Sequence, residues 1–355
     1  MPLNKIHLAT IGVALVAVVY LLFFSNISAL EYRSEAADLI RKFAPLPSLD
    51  TTDYDRRLLV LSHVPLSTTT SPSAQVASST KGRLWPVKTA YPKIGAILPF
   101  KRIVAYYGNF YSNRMGILGE YPDDELVVKL NAEKQRWEAA DPTTSVLPAI
   151  QYIATVAQAT AGKEGKYILR MPDEHIDRAI ALAAKVNGIV ILDIQVGLST
   201  LQRELPMLEK YLAMPQVHLA LDPEFSMKSG DKPGSVIGTF DAADINYAAT
   251  YLARLVNEHQ LPPKVLVIHR FTQNMVTNYQ NIRPLPEVQI IMDMDGWGTQ
   301  AKKIGTYKRV ITPEPVQFTG LKIFYKNDLK APSTGLLTTQ QVLELMPAPS
   351  YIQYQ

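Results

Sequence analysis

The chain has 355 residues, no cysteine and a net charge of +4, with 47% hydrophobic and 19% charged residues and a pI of about 8.9. That length holds one large core or two small ones, and the missing cysteine excludes structural disulfides, thiolate catalysis, Cys-zinc sites and a lipobox lipid anchor. With no dense Lys/Arg run, the mild basic charge gives nucleic-acid binding no support and leaves weak attraction to an anionic envelope polymer or membrane surface.

Residues Ile6 to Phe24 are apolar apart from His7 and Thr10, and Lys5 precedes them. A run of this length spans a bilayer as a helix, and Lys5 sets the N-terminus inside, so everything after residue 30 is expected to be extracytoplasmic. The alternative is a cleaved signal peptide, with a weak cleavage site around Ala29. A short amphipathic helix is expected over 31–43 and a short strand over 55–64. Residues 65–92 are rich in Ser, Thr and Pro and read as a tether or surface loop without a core of its own. The expected division is a signal anchor over 1–30, a juxtamembrane segment and linker over 31–92, and a globular domain over 93–355.

From residue 99 onward, strand-like and helix-like stretches alternate. Strands are expected at 102–108, 146–153, 188–196, 217–224, 264–271, 287–295, about 307–312 and 320–326. Helices are expected at 123–140, 173–187, 200–213, 241–259, 273–281, 298–305 and 338–346, with start signals at Pro172/Asp173, Ser199/Thr200 and Asp241. The strand runs are nearly continuous in Val and Ile, as strands covered on both faces are. Eight such alternations over about 250 residues predict a (β/α)8 TIM barrel. A doubly wound open sheet is the second choice, but no Gly-rich phosphate loop follows the first strand.

In such a barrel, chemistry sits at the C-terminal ends of the strands. Those ends are polar here. The first carries Tyr106, Tyr107 and Asn109, and the second Gln151. The third carries Asp193 and Gln195, and the fourth Asp222 and Glu224. The fifth carries His269 and Arg270 on opposite faces. The sixth carries Asp293 and Asp295, followed by Gly296 and Trp297, and the last carries Tyr325 and Lys326. At strand spacing, Asp222 and Glu224 share one face with Cα atoms roughly 6.6 Å apart, and Pro223 stiffens the exit between them. The long segment 226–240, with three glycines and a proline, reads as a lid or a substrate-gripping loop.

Paired carboxylates of this kind suit glycoside hydrolysis, in which one protonates the leaving oxygen and the other activates water or attacks the sugar. Glu224 is the expected acid, with Asp222 or Asp293 as its partner and Asp193 as a further catalytic candidate. Tyr107, Phe225 and Trp297 are the expected stacking platforms. Gln151, Gln195, His269, Asp295 and Lys326 complete the expected substrate contacts. This reading calls for no metal and no cofactor, with glycan or cell-wall polymer as the partner. Two alternatives remain. Asp193, Asp222, Glu224, Asp293 and His269 as ligands of a hard divalent cation would make a phosphodiesterase. A barrel that binds glycan without turning it over is the other.

The stretches YYGNFYSNRMGILGEYPDDEL (106–126), VILDIQVGLS (190–199), HLALDPEFSM (218–227), GSVIGTFDAADIN (234–246), VLVIHRFTQNM (265–275) and MDMDGWG (292–298) resemble a group of uncharacterised bacterial secreted or lipid-anchored proteins over roughly 102–354. The resemblance implies the barrel fold and an envelope location, with the apolar helix in place of the lipid. The strand-4 Asp-x-Glu is also similar to that of glycoside hydrolases such as the family-18 chitinases. Asp222 and Glu224 match the last two acids of their DxxDxDxE motif, while Val217 and Ala220 stand at the two earlier acidic positions.

Overall fold

Eight parallel strands form one closed sheet in the computed structural model, which describes residues 48–79 and 82–355. They are β1 (Lys101–Gly108), β2 (Ser145–Ala157), β3 (Ile189–Ile194), β4 (Val217–Leu221), β5 (Lys264–Arg270), β6 (Val288–Met294), β7 (Phe318–Ile323) and β8 (Tyr351–Tyr354). Each pairs with its sequence neighbour, and the ring closes where β1 lies between β8 and β2. Sequential parallel strands joined around a closed ring are a (β/α)8 barrel. The apolar run 6–24 and the helix expected at 31–43 lie outside the described residues.

The sequence shows why the sheet closes. Alternate residues of each strand face opposite ways. One face sends Ile103, Ala105, Ala149, Ile191, Ala220, Val267, Ile291 and Phe318 into a single interior cluster. The other sends Val104, Tyr106, Ile150, Val190, Leu192, Leu219, Leu266, Ile290 and Leu321 into the layer beneath the helices. Both faces are therefore apolar, which accounts for the continuous runs.

The helices obey the 3.6-residue period, and α3 (Asp123–Ala140) buries Leu126, Leu130 and Trp137. In α4 (Asp173–Lys185) the buried residues are Ile176, Ala179, Leu182 and Ala183, one stripe at i, i+3, i+6 and i+7. α5 (Ala242–Glu258) starts from a capping box in which Asp241 accepts from the chain ahead and Asp244 returns a bond to Asp241. The stretch after β3 is broken into short turns, Leu201–Glu204, Leu205–Leu208 and Glu209–Leu212, because Pro206 removes a helix donor. The helix expected at 273–281 is two short 3-10 turns, Gln273–Met275 and Tyr279–Asn281, with Val276–Thr277 extended between them.

Three further expectations fail for identifiable reasons. Residues 55–64 are not a strand. They belong largely to α1 (Thr51–Leu61), which buries Tyr54, Asp55, Leu58 and Leu59, a helical spacing. Tyr54 and Leu58 join the interior cluster with Leu98, and the Gln289 side chain accepts from the backbone N–H groups of Ile97 and Leu98 at 2.9 and 3.0 Å. The bottom of the barrel is thus plugged. The expected tether contains α2 (Pro72–Ser79) and a buried Trp85, whose indole donates to the Thr312 carbonyl at 2.8 Å.

The third failure concerns 307–312. It continues α6 (Gln300–Thr306) as a π-turn over Tyr307–Ile311, burying Tyr307, Val310 and Ile311 at i, i+3 and i+4. The stretch expected as the eighth strand is consequently β7, and β8 is the four-residue Tyr351–Tyr354.

Candidate active site at the C-terminal mouth of the barrel

Moving up the barrel interior, the inward residues change from apolar to polar. Near the top, Gln151, Asp193, His269, Asp293, Lys322 and Gln353 are all buried. Burying this many polar groups costs free energy unless they satisfy one another, and most of them do. His269 Nε2 donates to Asp193 Oδ2 at 2.8 Å, and the Gln151 amide donates to the same oxygen at 2.7 Å. The Tyr351 hydroxyl donates to the Gln151 carbonyl, and Gln353 donates to the Tyr351 hydroxyl at 2.9 Å.

On its other side, His269 Nδ1 lies 3.3 Å from Asp293 Oδ2 and 3.2 Å from Asp295 Oδ2. Burial would push this imidazole down, but Asp193 and Asp295 hold it well above its ordinary value. It is therefore a cation at neutral pH. The pKa of Asp293 is raised as well, but here burial is the cause and His269 opposes it. Asp293 is fully buried, and neither of its oxygens makes a hydrogen bond. Gly320 on β7 makes room for it, since a Cβ there would lie 2.7 Å from Asp293 Oδ1 and 2.7 Å from Tyr351 Cδ1.

Above this layer a cleft of about 690 Å³ opens at the strand C-termini, lined by Tyr107, Gln195, Asp222, Glu224, Phe225, Asp295 and Trp297 among others. These seven are sequence-expected site residues. Four others, Gln151, Asp193, His269 and Asp293, sit one layer deeper and do not line the cleft. Lys326 is not part of it either. Its ammonium is exposed and pairs with Glu120 at 2.7 Å. The lysine that serves the site is Lys322, four residues earlier, because β7 ends at Ile323.

Asp222 and Glu224 reach the cleft by a route other than strand alternation. β4 ends at Leu221, and Pro223–Phe225 is a 3-10 turn capped by Asp222, whose Oδ1 accepts the Glu224 N–H at 3.1 Å. Asp222 Oδ2 accepts from Gln195 at 3.1 Å, and Gln195 in turn accepts the Ala157 N–H at 2.9 Å. Asp222 thus holds the turn that presents Glu224. The loop 226–240 does not line the cleft. Its Gly238 N–H donates to the Glu224 carbonyl at 2.7 Å, bracing the same turn.

The electrostatics separate the cleft carboxyls. Burial, then the nearby Asp295 charge, raise Glu224 to about 7. Asp222 is raised well above the carboxylate range, first by burial. Burial would raise Asp295 too, but Lys322 and His269 more than offset it and hold the group below its ordinary value. The grip is direct: Lys322 Nζ lies 3.1 Å from Asp295 Oδ1 while His269 flanks Oδ2. Lys322 Nζ also stands 3.7 Å from the Tyr107 ring centroid, a cation–π contact worth about 2 kcal/mol when desolvated. At neutral pH the cleft therefore keeps a substantial share of Glu224 protonated beside Asp295 as an anion.

A second buried pair fixes the loop that carries Trp297. Lys303 Nζ lies 3.0 Å from Asp328 Oδ2 and donates to the carbonyls of Gly296 and Lys322 at 2.8 and 2.6 Å. Asp328 accepts from the N–H groups of Gly298 and Phe324, each at 2.9 Å. Asp328→Ala strands a buried ammonium, so it is expected to cost ~3–5 kcal/mol, read as a lowered chemical-denaturation midpoint. An unchanged midpoint would remove the pair from this role.

Sequence reasoning missed Lys322 and the cations Arg114, Lys302 and Arg309, which also line the cleft. Lys322 had a signal: it falls between apolar residues in GLKIFYK, on the inward phase of the strand. The five groups first read as ligands of a divalent cation are not arranged as one. Among the described residues no three His, Asp or Glu side chains are disposed to hold a metal ion.

No protein-family model and no curated protein matches the chain. Among solved structures it is similar to Cellulase Cel5C_n, with 13% identity, a TM-score of 0.42, and 76% of this chain and 79% of that one covered. A GH5-4 broad specificity endoglucanase from an uncultured bovine rumen ciliate has 9% identity, a TM-score of 0.32, and coverages of 66% and 76%. A mutant form of Thermotoga maritima Cel5A in complex with cellobiose has 7% identity, a TM-score of 0.34, and coverages of 72% and 88%. The architecture of this chain rests on its own strand order, and its chemistry on its own cleft.

Proposed function

We propose that this protein is a glycoside-hydrolase-like enzyme, anchored in the membrane, that cleaves cell-envelope or extracellular glycan. The observation that carries the reading is a cleft at the strand C-termini that both Glu224 and Asp295 line, with Lys322 and His269 at 3.1 and 3.2 Å holding Asp295 down while burial raises Glu224 to about 7. Two acids in one cleft with opposed protonation are what glycosidic cleavage requires. Glu224 gives its proton to the leaving glycosidic oxygen as the bond to the anomeric carbon breaks. Asp295, ionised, either takes a proton from the attacking water or attacks that carbon itself. Asp222 positions Glu224, and Lys322 and His269 keep Asp295 charged. Phe225, Trp297 and Tyr107 supply faces for sugar rings.

The test is incubation of the full-length protein and its Asp222→Asn/Glu224→Gln variant with peptidoglycan and a panel of glycans, reading released reducing ends. Release by wild type alone is expected. No release from any glycan by folded wild type would turn the reading toward a barrel that only binds glycan.

The location follows from the apolar run 6–24 behind Lys5. Deletion of residues 1–30 is expected to move the protein from the membrane fraction to the soluble one with its fold intact. Retention in the membrane fraction would contradict a simple anchor.

A further inference from the structure

We propose that the glycan bound in this cleft is acidic, carrying carboxylates on its sugar rings. The inference rests on the glycan-site reading above and adds the substrate's charge. Four cations line the cleft: Arg114, Lys302, Arg309 and Lys322. Lys322 is engaged by Asp295, but among the described residues no carboxylate pairs with Arg114, Lys302 or Arg309. Lys326, at the same end of the barrel, does have such a partner in Glu120.

These cations are not scattered. Lys302 and Arg309 both follow β6, on α6 and the π-turn that continues it. Both line the same cleft as Trp297, which is 48% exposed. Lys302 Nζ lies 4.9 Å from the centroid of that ring, and Lys330 Nζ lies 5.2 Å from it. The stem of Lys302 is seated against Gly298, where φ is +146° and a Cβ would fall 2.6 Å from Lys302 Cδ. The backbone therefore leaves a place for this lysine beside the ring.

The consequence for a sugar is specific. A neutral ring that stacks on Trp297 displaces ammonium groups from the indole and gives them nothing in return. A ring bearing a carboxylate lets the same ammonium groups move to its edge and pair with it, in a cleft whose walls exclude part of the solvent. The carboxylates of the cleft do not cancel these cations. The pKa values of Asp222 and Glu224 are raised, which lessens their negative charge, and Asp295 is already gripped by Lys322.

Two sources carry this chemistry, a uronate ring and the lactyl ether of a muramic acid. The experiment measures equilibrium binding of three probes to full-length protein in the Glu224→Gln background, where the sugars persist. The probes are a β-1,4-linked glucose tetramer, the matching glucuronate tetramer, and an alternating N-acetylglucosamine–N-acetylmuramic acid tetramer. At least one acidic probe is expected to bind about tenfold more tightly than the glucose tetramer at low ionic strength, with the advantage shrinking severalfold at about 0.5 M salt. The tighter acidic probe identifies the source. Lys302→Ala/Arg309→Ala is expected to bring the acidic and neutral affinities within about threefold of each other.

Equal affinities in the parent, or an acidic preference that survives the double substitution, would overturn the proposal. Binding of none of the three would overturn it as well. Wild-type turnover of the same probes separates the two claims. Acidic preference without cleavage of any probe supports this inference and removes the hydrolase reading. Cleavage of the glucose tetramer without acidic preference does the reverse.

Discussion

Glu224→Gln is expected to lower glycan turnover by ~10²–10⁴-fold, the contribution of a positioned general acid, without loss of folding. Glutamine keeps the shape of the side chain and its place on the Pro223–Phe225 turn, which is held by Asp222 and by the Gly238 N–H rather than by the carboxyl itself. It removes only the proton donor. The sign of the pH dependence is set by the same group. The acid must be protonated to act, and burial with the neighbouring Asp295 raises it to about 7, so wild-type activity falls as pH rises through that value. On the acid side, activity falls only where Asp295 takes up a proton, below its ordinary carboxylate range. Initial rates across pH, with thermal melts of both proteins, check this. Full activity in the glutamine variant would take Glu224 out of the acid role.

Asp295→Asn is expected to cost a comparable ~10²–10⁴-fold in turnover, but with two signatures that Glu224→Gln lacks. The first is stability. Asp295 neutralises buried Lys322 and flanks the His269 cation, so exchanging those charged contacts for neutral ones is expected to cost ~1.5–3 kcal/mol. The second is a shift in the residual activity. The Asp295 charge is one of the forces that raises Glu224, after burial, so its removal lowers the Glu224 pKa and moves the alkaline limb to lower pH. A variant with lost activity but an unmoved limb would mean that the two carboxyls do not sense each other.

The parts of this arrangement legible in the sequence are those written in period and in strand ends. β1 to β6 announce themselves as apolar runs, and each ends in the polar residues that reach the upper barrel, from Tyr107 to Asp295. The Asp222–Glu224 spacing pointed to the cleft, yet through a 3-10 turn, because Pro223 ends the strand and Asp222 caps the turn that begins there. Tyr307, Val310 and Ile311 misled because so short a segment, with Lys308 and Arg309 between its apolar residues, does not declare its period until the helix before it is seen. The four-residue β8 carried too little pattern to stand out.

The roles of Asp293 and Asp295 could not be separated from their spacing. Both sit beside the same histidine, and the difference lies in Lys322, which comes from another strand and reaches only Asp295. The rim cations gave no signal, since isolated lysines and arginines mark a site only when the fold gathers them.

The most direct test of the central claim is a carboxyl titration by ¹³C NMR on protein labelled at glutamate and aspartate, with Glu224→Gln and Asp295→Asn assigning the two resonances. One cleft carboxyl is predicted to titrate near 7 and to vanish in Glu224→Gln, while the resonance lost in Asp295→Asn stays ionised down through the ordinary carboxylate range. Two carboxyls that titrate together between about 4 and 5 would contradict the claim that this cleft holds an acid and an anion side by side.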